Sequence, residues 1–478
     1  MSDPTINSRE QQASTLRAAL KTLSPRPLVT ESELAAFYSD GPNQVRGDDK
    51  IARIKLGLSV ADGDNPYKVF LIGHSGSGKS TELSRLVKDT YTQYRYIRFD
   101  IREELDPVNF KPFDVLLLMM IRLAEQCAAL PSEGGAGQQP SDKLLKRIWD
   151  WFDERTTTET LKRSASIGAD SGTGSLENAA WWPKVIKLFG NIKGEIKLSA
   201  DREEKIVNYR LSRIYELVEL LNALVRECNT ILYDKFKGEW VFIGESFDKP
   251  GIPRAQIENL FLSYSNIFQD LEAHLIFNIP LDLAYCEKGA QLPRLSDDPI
   301  AIPDTPVFHP DHTPHVEGRQ ALASVLDRRM APTLFDENQQ TRLIVASGGN
   351  IRQLFALTVK AASFAILRNA PEGRIGAPDV DRAINDRRWE FQGGLGTSAS
   401  DEIPMTYEDK AKKLVQIYRQ APEAEIRDPQ LNALLRAGAV QEFNGTWWFG
   451  IHPIVVDILS EQGHIERDAD GRLPGGTE

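Results

Sequence analysis

Hydrophobic and polar positions alternate in two different rhythms along this chain. Up to about residue 310, short apolar runs recur between longer stretches of helical spacing. Tyr67–Ile72 is a compact apolar run, and Thr81–Asp89 reads as the helix that follows it. Tyr94–Phe99 alternates Tyr, Ile and Phe with Arg and reads as a strand. Phe113–Leu130 is a largely apolar, buried helix, and Asp201–Glu227 returns to helical periodicity. Trp240–Gly244 and His274–Phe277 are further buried strands, and Pro306–Phe308 reads as the last. Strands that alternate with helices form a parallel sheet covered on both faces. The predicted fold is therefore α/β, around a five-stranded parallel sheet.

Past about residue 315 the strand rhythm stops. Helical stretches follow at 317–330, 337–346 and 350–368, the last with Asn350 as a good N-cap. After a Gly- and Ser-rich loop (393–400), the segment 404–460 reads as helix, helix, hairpin. Lys410–Tyr418 is the first helix. Asp428 and Pro429 suit the N-cap and N1 of the second, which ends near Arg436. Asn444–Gly445 between two apolar runs signals a tight hairpin. Residues 131–204 break the earlier alternation, because 131–140 and 166–175 have loop composition. The expected division is a helical segment over 1–60, a core over 61–130 and 205–312, and an insertion over 131–204. A helical unit over 313–392 and a C-terminal unit over 402–465 complete it.

Composition narrows the function. The chain has 478 residues, a net charge of -11 and a pI near 5.4. A global nucleic-acid binder is usually basic, so any such contact must be local. Cys127, Cys228 and Cys286 are odd in number and far apart, which suits a reducing cytosol. The first residues are polar, with no apolar signal core. The longest apolar run, Val115–Ile121, is far short of a bilayer span. A cytoplasmic protein with no membrane contact is expected.

The chemistry is concentrated at Gly73–Ser80. Gly73, His74, Ser75, Gly76, Ser77, Gly78, Lys79 and Ser80 match G-x-x-x-x-G-K-[ST], between a strand and a helix. Glycines let such a loop turn its N–H groups inward onto phosphate oxygens, and the helix adds its positive end. Lys79 would reach the β- and γ-phosphates, and the Ser80 hydroxyl would ligate Mg²⁺. Thr81 can help at the helix start. Hydrolysis also needs carboxylates at a second strand end, one for the metal and one for the attacking water. The segment 240–250 offers them after an apolar strand: Gly244, Glu245, Ser246, Phe247, Asp248 and Lys249. Two registers are open. Either Gly244 and Glu245 fill the two acid slots, or Glu245 and Ser246 do, with Asp248 reaching in from the turn. In the first, Glu245 polarises the water and the metal relies on Ser80, phosphate oxygens and water; in the second, Glu245 serves the metal and Asp248 supplies the other carboxylate, and Asp248 is also a candidate to hold Mg²⁺ through water.

These landmarks resemble the bacterial AAA-plus ATPases, especially the STAND-type and origin-recognition-like branches. The resemblance covers roughly residues 40–390, apart from the insertion. It implies that Asn278, ending the strand before Pro280, contacts the γ-phosphate or its water. It implies that Arg352, in GlyGlyAsnIleArgGlnLeu (348–354), reaches the nucleotide from a helical lid over 313–392. It implies a trans-acting arginine, for which Arg294 falls in the window between that strand and the lid and Arg254, after the acidic strand, is a second candidate, and ATP-dependent self-association. It also implies a C-terminal winged helix, able to bind DNA or to serve as a packing or partner module. The function implied is an ATP-dependent conformational or assembly switch with slow basal turnover, of the kind used in regulation or anti-phage defence beside an effector. A DNA-associated initiator or loader, and a nucleotide-locked scaffold, are the alternatives.

Two further clusters read as structural. His309, His312 and His315, with Asp311, could bind zinc, but the Pro-rich segment reads as a joint between units. Residues 184–197 are basic and amphipathic, which suits packing within the insertion better than a membrane surface.

Overall fold

The computed structural model describes residues 11–47, 49–62, 65–131, 139–156, 180–198, 204–249, 251–368, 373–397, 403–422, 428–443, 448–468 and 472–477. The expected parallel sheet is present. Its strands are β1 (Lys68–Ile72), β2 (Tyr94–Asp100), β3 (Glu239–Glu245), β4 (His274–Asn278) and β5 (Ile300–Ala301). They lie in the order β2-β3-β4-β1-β5, all parallel. This α/β arrangement, with the phosphate-loop motif after β1, fits a P-loop NTPase fold.

Alternation along the strands gives the sheet two apolar faces. Val69, Leu71, Val241, Ile243 and Ile276 pack with helices α4 (Lys50–Val60) and α5 (Lys79–Thr90). On the opposite face, Phe70, Ile97, Phe99, Trp240, Phe242 and Phe277 join the larger core. That core includes helices α6 (Pro112–Ala128) and α10 (Ile214–Phe236). Shorter helices precede α4: α1 (Leu16–Thr22), α2 (Glu31–Phe37) and α3 (Gly41–Val45).

The last strand is not where the sequence reading put it. Ile300–Ala301 pairs with Leu71 and Ile72. Residues 306–308 instead enter a small hairpin, with Phe308 bridged to Pro314 and His309 N–H bonded to the Thr313 carbonyl at 2.8 Å. Pro303 and Pro306 lack N–H donors, so a ladder cannot run on through them.

The segment 131–204 contributes to the core. Helices α7 (Asp142–Thr156) and α8 (Trp181–Lys197) bury Leu145, Ile148, Val185, Phe189 and Ile192 there. The basic helix thus turns its apolar face inward. The two loop-like stretches fall largely outside the described residues. The periodicity at 201–227 resolves into α9 (Glu204–Ser212) and α10.

After the sheet come α11 (Val316–Asp327), α12 (Gln339–Ala346), α13 (Ile351–Leu367) and α14 (Ala377–Leu395). The C-terminal part holds α15 (Tyr407–Tyr418), α16 (Pro429–Ala437), and α17 (Pro453–Glu461). Between α16 and α17 lies the antiparallel pair β6 (Val440–Phe443) and β7 (Trp448–Ile451). The turn predicted at Asn444–Gly445 lies outside the described residues. Among the described residues, no helix is long and apolar enough to cross a membrane.

Candidate functional site

Parallel strands point their carboxyl ends the same way, and Asp100, Glu245 and Asn278, which end β2, β3 and β4, gather there beside the loop after β1. The loop after β1 carries positive φ at Gly73, Gly76 and Gly78, the last opening α5. At Gly76 the need for glycine is steric as well. A Cβ there would stand 2.5 Å from the Arg352 Cβ and 2.6 Å from Asn350 Oδ1. The loop therefore seats directly against the start of α13, and Arg352 N–H bonds the Gly76 carbonyl at 3.3 Å.

A cleft of about 240 Å³ opens beside this loop. Gly76, Gly78, Lys79, Ser80, Thr81, Glu245, Asp248, Asn278 and Arg352 all line it. Residues far apart in sequence thus meet in one place. Lys79 Nζ is buried, 2.8 Å from Asp248 Oδ2 and within 2.6 and 3.0 Å of the Gly73 and His74 carbonyls. Burial works to raise the Asp248 pKa, but Lys79 and Lys249 outweigh it and hold the carboxyl below its ordinary range. The loop's Ser75 hydroxyl accepts from Arg352 at 2.5 Å and from Lys249 at 3.3 Å. Burial lowers the pKa of both cations, against the pull of Asp248. Burial likewise lowers the His74 pKa. The Thr81 hydroxyl receives the Leu28 N–H at 3.2 Å, which ties the N-terminal segment to the loop.

Glu245 is the last residue of β3, and Ser246 follows with a φ of 71°. Left-handed backbone at a buried, non-glycine residue is a strained arrangement found at functional turns. The strand thus ends on Glu245, with Ser246 next and Asp248 in the turn. Arg98 on β2 binds Glu245 Oε2 through Nε at 3.0 Å and Nη2 at 2.6 Å. The other oxygen, Oε1, is buried without a hydrogen-bond partner, as are Asn278 Oδ1 and Ser77 Oγ. Buried polar atoms are normally satisfied, so unpartnered oxygens beside a phosphate-type loop suit a bound polar ligand. The oxygen donors Ser80, Asp248 and Glu245 are the ligand type that Mg²⁺ takes, directly or through water.

Sequence reading missed several residues of this cleft. Asp100 ends β2 opposite Glu245 in register and lines the cleft. Its signal was available, since it is an acid closing an alternating strand. Tyr38, Arg46 and Arg329 come from segments read only as helical, and nothing in their local pattern marks them. Arg329 sits between Phe37 and Phe355, 5.3 and 4.5 Å from the ring centres, and burial lowers its pKa to about 10. Behind the loop runs a buried polar chain. Asn350 Nδ2 donates to the Ser75 carbonyl at 3.2 Å and to Asp304 Oδ1 at 2.9 Å. Gln441 on β6 donates to Asp304 Oδ2 at 2.7 Å.

The two arginines considered for a trans role sit elsewhere. Arg294 lies at the amino end of β1, in a shallow recess shared with Arg53 and Lys68. Arg254 is engaged within its own chain, on Glu258 at 2.8 Å and on Asp282. In the histidine hairpin, the rings of His309 and His315 stack at 4.3 Å, and Glu317 lies near them. His312 turns away to stack on Tyr418 and bond its carbonyl at 2.9 Å. His315 Nδ1 is spent as an acceptor, capping Gly318 N–H at 2.9 Å.

No family model matches the chain, and no curated protein matches it. Among solved structures, a Walker-type ATPase of Pyrococcus abyssi is similar at 13% identity and a TM-score of 0.39. The match covers 92% of this chain and 99% of that one. A likeness at that level carries no weight for the function.

Proposed function

We propose that this chain is an ATP-binding P-loop ATPase that acts as a nucleotide-dependent switch. One observation carries the reading. Lys79, at the start of α5 in a glycine-turned loop, holds its buried ammonium on Asp248, the acid in the turn after β3, one strand removed from β1. A triphosphate in the loop would compete for that ammonium. The arriving phosphate charge would draw Lys79 away and free Asp248, and Ser80, with Asp248 through water, would hold Mg²⁺. Mg²⁺, when bound there, would neutralise phosphate charge. Asn278 ends β4 with an Oδ1 free to accept a hydrogen bond from the water beside the terminal phosphate. Arg352 exchanges the Ser75 hydroxyl for a phosphate oxygen, and α13 moves with it. The helices over 313–392 then act as a lid whose angle reports which nucleotide is bound. Regulation of a partner effector, including a defence role, is compatible with such a switch.

The C-terminal part reads better as a packing module than as a DNA reader. Phe449 meets Tyr285 edge-on at 5.5 Å, so the hairpin lies on the core. Lys410 and Lys413 are turned inward, onto the Gly396 carbonyl at 2.7 Å and Asp428 at 2.8 Å. Those lysines would be lost to a phosphate backbone.

Calorimetry of ATP binding to wild type and Lys79→Ala tests the core claim. The variant should bind at least about tenfold more weakly, roughly 1.4 kcal/mol. Equal affinity in both would sink the reading.

A further inference from the structure

Four carboxylates line the cleft: Glu82, Asp100, Glu245 and Asp248. Three are matched by cations. Glu82 faces Arg85 at 3.0 Å, Glu245 takes two Arg98 nitrogens, and Asp248 takes Lys79. Arg98 is itself pinned, donating to the Ser84 hydroxyl at 2.8 Å and reaching the Ser80 carbonyl at 3.4 Å. Its hold on Glu245 is therefore built into the sheet, whereas Lys79 has a phosphate to move to.

Asp100 differs. Its donors are neutral: the Ser246 hydroxyl at 2.5 Å on Oδ2 and the Arg102 N–H at 2.9 Å on Oδ1. Among the described residues, no cation lies within ion-pair distance of it. The strained φ of Ser246 is what carries that hydroxyl from the end of β3 across to the end of β2. Asp100 is thus an oriented carboxylate at the carboxyl end of the sheet, with spare lone pairs and an uncompensated charge.

We infer that Asp100 is the catalytic base of this site, the carboxylate that orients and deprotonates the attacking water, and that Glu245 is not. The inference rests on the P-loop ATPase reading above. In the step it assigns, the water oxygen bonds to the γ-phosphorus. The bond from that phosphorus to the bridging oxygen breaks, its electron pair leaving with ADP. The water proton passes to Asp100 and then to solvent, restoring the carboxylate. Ser246 is a positioning residue, acting through Asp100. Asp248, freed from Lys79, stays on the metal side.

The test uses the full chain and the variants Asp100→Asn, Asp100→Glu and Glu245→Gln. ATP affinity with Mg²⁺, steady-state turnover, and affinity for ADP with aluminium fluoride are measured for each. A base of this kind supplies about 10²–10⁴-fold. Asp100→Asn should slow turnover by about a hundredfold or more, with ATP affinity within about threefold of wild type. Its affinity for the ADP–aluminium fluoride mimic, which includes the in-line water, should fall at least about tenfold. Glu245→Gln should keep more turnover than Asp100→Asn, and Asp100→Glu should recover part of what Asn loses. Turnover within threefold of wild type in Asp100→Asn, with loss in Glu245→Gln, overturns the assignment. So does a parallel loss of ATP affinity in Asp100→Asn and Asp100→Glu, misfolding of both included, since that marks a structural or metal-holding role. Failure of wild type itself to bind ATP would instead strike the underlying ATPase reading.

Discussion

Glu442 on β6 is an acid in an unfavourable place, and that makes a quantitative expectation possible. It is 3% exposed, takes the Tyr285 hydroxyl at 2.9 Å on Oε1, and leaves Oε2 buried and unpartnered. Burial, with Asp304 adding to it, raises its pKa to about 7, against the Tyr285 bond and Lys50. The ordinary value is 4.5. The folded state therefore holds a proton that the unfolded chain gives up earlier. Below about pH 4.5 both states are protonated, and the group's contribution is fully present. Between about 4.5 and 7 only the unfolded chain ionises, and stability falls by about 1.4 kcal/mol per unit. Over some 2.5 units the loss is about 3 kcal/mol, complete once pH passes the folded value. Glutamine has nearly the same shape, accepts the same Tyr285 bond, and does not titrate. Glu442→Gln should thus gain on wild type as pH rises, by about 2–3 kcal/mol between pH 5 and pH 8. Urea unfolding at both pH values, followed by tryptophan fluorescence, measures it. A difference between the two proteins that is the same at pH 5 and pH 8 would refute the reasoning.

Other expectations follow from the same contacts. Asp304 is the largest favourable charge acting on buried Arg46 and holds Asn350 and Gln441. Asp304→Ala should cost about 3–5 kcal/mol, and a cycle with Arg46→Met in urea should show coupling above about 1 kcal/mol; additivity would show that the two do not interact. Turnover of wild type should be below about 1 s⁻¹, the low end of enzyme rates, because two of the expected acids start out matched by cations; a phosphate-release assay giving brisk rates would contradict this. Mass measurement in solution should show larger species with ATP and Mg²⁺ than with ADP, and a strict monomer in both would remove any trans role for Arg294. Duplex DNA should bind weakly or not at all at low salt; tight binding with a steep salt dependence would favour the initiator reading.

The legible parts of the site were those set by local sequence. Gly73–Ser80 declares itself because the loop needs glycines, a lysine and a hydroxyl at fixed spacing. Strands β1, β3 and β4 declare themselves as compact apolar runs and β2 as an alternating one, whereas β5 has two residues and no run to see. Asn350 announces a helix start, and it does cap α13 by accepting the Gln353 N–H at 3.1 Å. Its second bond, to Asp304, is invisible in sequence, because a contact between residues 304 and 350 has no period. The acidic strand showed its residues but not its register. The end of β3 at Glu245 and the positive φ of Ser246 are features of the fold that the local sequence does not show. Arg98 looked like the polar half of an alternating strand, and its binding of Glu245 depends on strand order, which one strand's sequence does not contain.

The way the C-terminal part is fastened bears on the proposed switch. A freely swinging module would meet the sheet through exposed, replaceable contacts. Here Gln441 reaches Asp304, Arg436 reaches Asp282 at 3.0 Å, and His452 Nε2 meets Gln353 Oε1 at 3.0 Å. Gly348 and Gly349 pass between these groups with positive φ, and a Cβ at Gly349 would run into the Thr305 carbonyl. The turn that leads into α13 is therefore clamped from the sheet side and from the C-terminal side. A loop motion that pulls Arg352 off Ser75 must either be absorbed within α13 or break buried hydrogen bonds to charged groups, at about 1.5–3 kcal/mol each. Differential nucleotide affinity of a hundredfold supplies only about 2.7 kcal/mol. ATP alone can thus shift about one such contact, and full release of the C-terminal part would need a second source of free energy. On this argument, removing residues 402–478 would damage the nucleotide site along with any partner surface. Single changes at Gln441 or Arg436 are the cleaner way to uncouple the two.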